Sequence, residues 1–421
     1  MTKNNAFEKY CYNFTAVIYF LTKMKSKYLC VFPLLIFCSC VNNTISLENE
    51  KRGKLTATYC LALSGEKRIH LDYETAPQPP YMQMFQDVNG KQMLTLLNPY
   101  KNAIYFYDYE EAVYIRKIEY DNGRGPNSIL RLAGYYIKNM DSIYVFNNPM
   151  MELALTDSLG RVKQRISLRD NRTDQEWSVY YPQYYFMTIN PIIENNGKLI
   201  LTGMSPFGAT DSLFRKFQIS CCVDLKTGYL DFMHNYPPNL YGSNGFQWQE
   251  PAFMQSYREL SPSGEFIYSF PVSHHLYIAS YGFNEYKTVY AGSNFAGTIR
   301  SLGDDKKNIP NEVIRTHFLQ YDFYSAILYD PYRHVYYRFM LQGIPDAAAK
   351  NQWKIKPVVV IIMDEQFNYL GETLIGTGEE WKYDNSFVTS DGLVVEYIDQ
   401  DADSEEAYLI LKTFTVEKIN K

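Results

Sequence analysis

At 421 residues with a 46% hydrophobic share, the chain has material for one large domain or two ordinary ones with a sizeable core. A formal net charge of −5 argues against a phosphate-binding surface, which would want a basic stripe, so no nucleic-acid partner is expected. The 39 Tyr and 25 Phe favour half-buried pleated surfaces and lean the chain towards β structure.

Near the N-terminus, Met24-Lys25-Ser26-Lys27 is a positively charged start and residues 28–37 (YLCVFPLLIF) are an apolar run of signal-peptide length. Ser39-Cys40 then supplies a small residue followed by Cys. The ending resembles a bacterial lipoprotein signal, which implies a lipid on Cys40 and a membrane partner through that anchor. The expected division is an over-long upstream extension at 1–23, a signal at 24–39, a polar tether at 40–54 and one β domain at 55–421. In some Gram-negative lipoproteins an acidic cluster after the Cys resembles a surface-export signal; none follows Cys40, so by that resemblance the expected place is the periplasmic side of the outer membrane.

From residue 81 onward a four-strand unit recurs. Residues 141–168 show it best: the strand Ile143-Tyr144-Val145-Phe146, a turn at Asn147–Pro149, the strand Glu152–Thr156, a turn at Ser158-Leu159-Gly160, and a third strand to Leu168. The pattern predicts blades at 81–119, 128–168, 183–234, 252–291, 325–375 and 385–414. In the third blade the first strand is expected at 183–190, and in the fourth at 252–260. The sixth unit offers only three strands, at 385–390, 393–398 and 407–414. A ring has an edge problem until it closes. The lone strand Arg68–Tyr73 (RIHLDY) is the expected fourth strand, placed beside 407–414. Spacings of about 40–60 residues are those of β-propeller blades, so the expected fold is all-β, a six-bladed β-propeller closed by an N-terminal strand. Residues 55–63 have no place in this scheme, 297–324 is ambiguous, and a seventh blade stays open.

Gly125-Pro126 before the second blade, and Asp157 with Gly160 inside it, resemble the punctuation of six-bladed propellers related to NHL-repeat and TolB-like proteins. With the signal, the pattern is similar to a family of propeller lipoproteins of unknown function from Gram-negative anaerobes. That resemblance implies the fold over residues 55–420 and transfers no catalytic residue.

Propeller topology sorts the loops. Connections between strands one and two, and three and four, leave one face and are short, such as Val88-Asn89-Gly90 and Asp391-Gly392. Connections between strands two and three, and between blades, leave the other face and are long and aromatic. They hold all four Trp of the chain: Trp177, Trp248, Trp353 and Trp381. Tyr181, Glu250, His274, His275 and Glu379 lie in the same set. Long Trp-rich loops are expected to be ordered. They serve either as a plug in the ring's mouth or as a ligand platform for a glycan or envelope protein.

Candidate chemistry is thin. Cys221-Cys222 are neighbours in a strand and point to opposite faces, so they do not share a metal. With Cys60 they could form one disulfide, although a buried free thiol is the expected state. His274-His275 lacks a spaced third ligand, and residues 399–406 (DQDADSEE) lack the Gly of a calcium loop. No phosphate loop, nucleophile elbow or zinc motif is present, so neither metal nor cofactor is expected. Two functions stay open: an envelope lipoprotein that binds a partner on the aromatic face, and a glycan-active hydrolase or lyase using Glu250 or Glu379 near Trp248 and Trp381.

Overall fold

Middle strands here read as continuous apolar runs and outer strands as polar ones. That pattern suits sheets covered on both faces by neighbours and wet only at the rim. Pro357–Asp364 (PVVVIIMD) is buried almost throughout, whereas Val162–Ser167 (VKQRIS) shows mostly exposed positions. A computed structural model describes residues 44–75, 77–169, 181–205, 215–241, 248, 251–302, 309–348, 352–399 and 407–420. Six four-stranded antiparallel sheets form a six-bladed propeller, which settles the blade number.

Blade 1 comprises Met82–Gln86, Gln92–Asn98, Ala103–Asp108 and Val113–Glu119. Blade 2 comprises Leu132–Asn139, Ser142–Asn147, Glu152–Thr156 and Val162–Ser167. Blade 3 follows with Ile193–Asn195, Lys198–Thr202, Gln218–Asp224 and Leu230–Asn235. Blade 4 has the short strands Tyr257–Leu260, Phe266–Ser269, His275–Ala279 and Lys287–Tyr290. Blade 5 has the long strands Phe323–Asp330, Val335–Leu341, Pro357–Asp364 and Tyr369–Thr377. Blade 6 takes Trp381–Thr389, Gly392–Tyr397 and Tyr408–Lys418 from the C-terminal end and Tyr59–His70 from the N-terminal side.

That last strand closes the ring. It pairs antiparallel with Tyr408–Lys418, from His70 opposite Tyr408 to Tyr59 opposite Lys418. It is longer than the RIHLDY segment suggests, and it absorbs residues 59–63, which had no place in the sequence scheme. Gly371 on blade 5 makes room for it: a Cβ there would sit 1.8 Å from the Tyr59 carbonyl oxygen.

One turn device repeats. At the end of the third strand of blades 1, 2, 3 and 5 stand Asp108, Asp157, Asp224 and Asp364. Each carboxylate accepts hydrogen bonds from backbone N–H groups two to four residues on, as Asp157 does from Leu159 and Arg161. This is an Asx turn, which gives the chain a local substitute for ladder bonds as it reverses.

Three expectations need correction. The first strand of blade 3 is not residues 183–190. That stretch lies between Pro182 and Pro191 and contributes only isolated bridges, Gln183 to Met204 and, across a turn, Met187 to Asn190; the strand is Ile193–Asn195. In blade 4, Pro251–Met254 is a helical turn, and the strand begins only at Tyr257. Residues 44–54, read as part of a tether, are docked: Ser46–Leu47 pairs with Ile299–Arg300. The ambiguous stretch 297–324 thus holds a small strand and the helix Asn311–Gln320, not a seventh blade.

The core forms clusters between blades. Cys222 belongs to one that spans blades 3 to 6, and Cys221 to another that spans blades 1 to 3. Their opposite orientations follow from the strand alternation, and both, with Cys60, are free thiols.

Candidate functional site

On the long-connection side, an aromatic base is built from residues 236–241, 248 and 252–254. Trp248 is fully buried, donates its indole N–H to Leu240 O at 3.2 Å, and packs on Tyr241 and Phe253. Tyr241 donates to Phe253 O at 2.9 Å and Tyr236 to Met254 O at 2.7 Å, so these phenols are satisfied inside the loop. Tyr181 is buried with its ring 5.6 Å from that of Phe232. Trp381 opens the inner strand of blade 6 and is buried against Tyr397 and Phe414.

The outer members differ. Trp353 starts a helical turn and stays 41% exposed; Phe295 is 51% exposed. Glu379 is exposed as well. The turn with Trp353 and the connection with Glu379 and Trp381 are joined by a hydrogen bond from Gly378 N to Lys356 O at 3.1 Å. Trp353, Glu379 and Trp381 thus lie on neighbouring segments. Trp177 and Glu250 fall outside the described residues.

The two adjacent histidines do different things. His274 is buried, and burial holds its pKa down at about 4, so it is neutral at ordinary pH. Its Nε2 faces Leu47 O at 3.3 Å, so Nε2 carries the proton and Nδ1 accepts from the Tyr324 hydroxyl at 2.8 Å. The role is to dock the N-terminal segment. His275 is half-buried beside Tyr290, its pKa also lowered chiefly by burial. Among the described residues no group of three or more His, Cys, Asp or Glu converges as metal ligands would.

Buried charged residues that the loop analysis missed turn out to peg the blades together. Arg338, on the second strand of blade 5, is fully buried and has no acidic partner among the described residues. It donates to Ser269 Oγ, Ala291 O and Ser273 O of blade 4 at 2.8–3.0 Å, and its guanidinium lies 3.9 Å from the Tyr324 ring centre. Burial lowers its pKa to about 10. On the inner strand of blade 6, Asn385 donates to Pro79 O and Glu396 and accepts from Thr188. Burial pushes the Glu396 carboxyl up to about 8. A signal for both was present: Arg338 interrupts VYYRFML and Glu396 interrupts GLVVEY, each a lone charge inside an apolar strand.

A cavity of about 450 Å³ lies in the lateral groove between blades 4 and 5. Its origin is a length mismatch. Blade 4 strands have four or five residues and blade 5 strands seven to nine, so part of blade 5 is left bare. Residues 44–58 cross that gap. Asn294 pins them by taking Leu55 N on Oδ1 at 3.1 Å and giving Nδ2 to Leu55 O at 3.2 Å. What the segment leaves uncovered is the cavity, lined by Lys51, Lys54, Tyr290, Gln366, Asn368 and Tyr369 among others. Close by, Glu372 accepts from Asn294 N through Oε1, and burial raises its pKa.

Comparison with known proteins bears on the family. The sequence matches the model described as Domain of unknown function (DUF4221) over residues 58–374. A crystal structure of a DUF4221 family member from Bacteroides vulgatus superposes with a TM-score of 0.69 at 18% identity, covering 86% of this chain and 99% of that one. A protein of Bacteroides fragilis described as exported superposes with a TM-score of 0.50 at 11% identity, covering 85% and 96%. At these identities both likenesses are of fold. Among proteins with curated descriptions, none matches the sequence. The family model spans most of the propeller, from the closing strand into the last strand of blade 5, and the chain belongs to the DUF4221 family of β-propellers.

Proposed function

We propose that the protein is an exported lipoprotein of the cell envelope, held through Cys40 on the periplasmic side of the outer membrane. Its propeller is a scaffold that binds a glycan or protein partner from the long-connection side. The observation that carries this reading is that the long connections hold both satisfied, buried aromatics and exposed ones. Trp248 and Tyr241 are buried and hydrogen-bonded within their loop, and Trp353 and Phe295 present exposed rings. Rigid aromatic anchors on an ordered base lose little entropy on binding and are where interface energy concentrates. Export is supported by the Met24–Cys40 pattern and by the fold-level likeness to a protein described as exported. No described helix is long and apolar enough to cross a membrane.

Two experiments test it. Cells grown with a labelled fatty acid should mark the wild-type protein and leave a Cys40→Ala variant unmarked; equal labelling removes the anchor. A glycan array and an envelope pull-down with the purified protein should each be repeated with Trp353→Ala. Ligands retained equally by both proteins would remove the long-connection side as the contact.

A further inference from the structure

We propose that the lateral cavity between blades 4 and 5 binds a saccharide of one or two rings that carries a carboxylate or sulfate. The proposal goes beyond the scaffold reading above: it adds a lateral site, apart from the long-connection side, and names the ligand class for that site.

Size comes first. About 450 Å³ is within the usual range for small-ligand sites, and it exceeds a trapped water or a bare ion by a wide margin. Charge comes next. Among the described residues, the charged side chains that line the cavity are Lys51 and Lys54, with no carboxylate beside them in the lining. Neither lysine is in an ion pair among the described residues. Lys51 Nζ rests 4.6 Å from the Tyr290 ring centre, and Lys54 Nζ makes one hydrogen bond, to Glu50 O at 2.8 Å. Each ammonium has three donors, so both keep capacity for an anionic oxygen.

The remaining lining favours a sugar over a free anion. Tyr290, Phe367 and Tyr369 offer apolar ring surface for the C–H face of a pyranose. Gln366 and Asn368 offer side-chain amides, donor and acceptor at once, which suit hydroxyl groups. Asn368 already spends its Nδ2 on Asp364, which leaves its carbonyl oxygen as an acceptor. Lysines bind as flexible point charges without the bidentate fork of arginine. They therefore suit a charge whose position varies between a carboxylate and a sulfate.

The walls are held in advance. Asn294 clamps Leu55 on both backbone groups, and the Tyr290 hydroxyl donates to Asn49 Oδ1 at 2.7 Å, so the segment that carries both lysines is tied to blade 4 on either side of them. Such preorganisation reduces the ordering cost of binding.

Calorimetric titration of the detergent-purified full chain tests the proposal. The probes are digalacturonate, a sulfated disaccharide, cellobiose and sodium sulfate. The expected result is binding of at least one acidic disaccharide, with cellobiose and sulfate each weaker by about tenfold or more. A Lys51→Gln, Lys54→Gln double variant should lose about tenfold in affinity for that disaccharide, and the binding should weaken with added salt. The same change at two remote exposed lysines, Lys163→Gln with Lys226→Gln, should leave affinity unaltered. Melting curves of both variants should match wild type, since all four side chains are exposed. Equal binding of cellobiose, equal binding of sulfate alone, or full affinity in the Lys51/Lys54 variant overturns the site. If the acidic probes fail while the array or pull-down finds a Trp353-dependent partner, the cavity proposal falls and the scaffold reading stands. If no ligand appears in any of these assays, both fall.

Discussion

Two junctions of the ring are held in opposite ways. At the seam, Tyr59–His70 joins Tyr408–Lys418 through a backbone ladder that pairs residues in register for almost its full length. Between blades 4 and 5 there is no such ladder. That junction is held by Arg338 reaching into blade 4, by His274 and Asn294 gripping residues 47 and 55, and by apolar packing. The difference follows from what each must do. The seam joins two chain ends and gains from cooperative, sequence-tolerant backbone bonds. The junction joins sheets of unequal length, where side chains and isolated backbone bonds such as Tyr324 N to Pro271 O at 2.8 Å span the gap. One N-terminal segment serves both, as pegs from residue 44 and as a strand from residue 59.

The largest effect should come from cutting the seam. A chain lacking residues 1–70 exposes the edge of Tyr408–Lys418, and with typical total stabilities of about 5–15 kcal/mol the loss should remove cooperative unfolding altogether. A sharp thermal transition in that truncation would show that the seam is dispensable. Breaking the other junction should cost less. Arg338→Ala leaves two buried carbonyls unpaired and a void against Tyr324, which should lower stability by about 3–5 kcal/mol in urea unfolding. Arg338→Lys should recover only part of it, because an ammonium cannot reach Ser269, Ser273 and Ala291 together from one point. Full recovery would mean that charge, not the fork, is what the junction uses.

The seam could be read from sequence, and the junction could not. A three-strand last unit and the RIHLDY stretch announce a closure, because a missing strand leaves a gap in a periodic pattern. The blade 3 strand was misplaced because 183–190 carries strand-like residues, YYFMTIN, while the prolines at 182 and 191 and the turn at Met187–Asn190 govern the backbone there. The docking of residues 44–54 had no periodic signal, since it rests on a two-residue pairing, Ser46–Leu47 with Ile299–Arg300, and on single contacts of Asn49 and His274, all across more than two hundred residues. The lateral cavity was invisible for the same reason: it follows from the length mismatch of two blades and from where a polar segment crosses them. On the long-connection side, composition placed the aromatics in loops but could not say which rings face inward. The indole N–H of Trp248 finds Leu240 O within its own loop, and that contact decides its burial.

Trp248→Ala should therefore act as a core truncation, lowering stability by about 3–5 kcal/mol. A melting temperature close to wild type would show that the loop repacks without it. A smaller, pH-dependent effect belongs to Glu396 beside the seam. Its pKa is raised from 4.5 to about 8, mainly by burial, so the folded state holds a proton that the unfolded chain gives up. The contribution of Glu396 to stability thus falls as pH rises between those two values and is flat outside them. Glu396→Gln keeps an acceptor for Asn385 and cannot ionise. Its advantage over wild type should be absent at pH 4 and reach about 1–2 kcal/mol at pH 8, since buried sites relax more than a dry interior would. A difference that does not vary with pH would mean the carboxyl ionises in the fold as it does in water.

The smallest change in stability is expected at Trp353, and it is the informative counterpart of Trp248. Both are indoles in loops that topology sends to one side of the ring, yet one is fully buried and the other 41% exposed. An exposed ring at the start of a short helical turn supports little packing, so Trp353→Ala should shift stability by no more than about 0.5 kcal/mol. If the ring is a contact for a partner, the same change should weaken that partner by about 1–3 kcal/mol, because the area lost on truncation is area the ligand would have covered. The two substitutions then separate cleanly: Trp248→Ala reads in the melting curve, Trp353→Ala in the binding isotherm. A Trp353→Ala protein that melts several degrees lower, with affinity intact, would place this ring with the buried base and leave the long-connection side without an aromatic contact at that position.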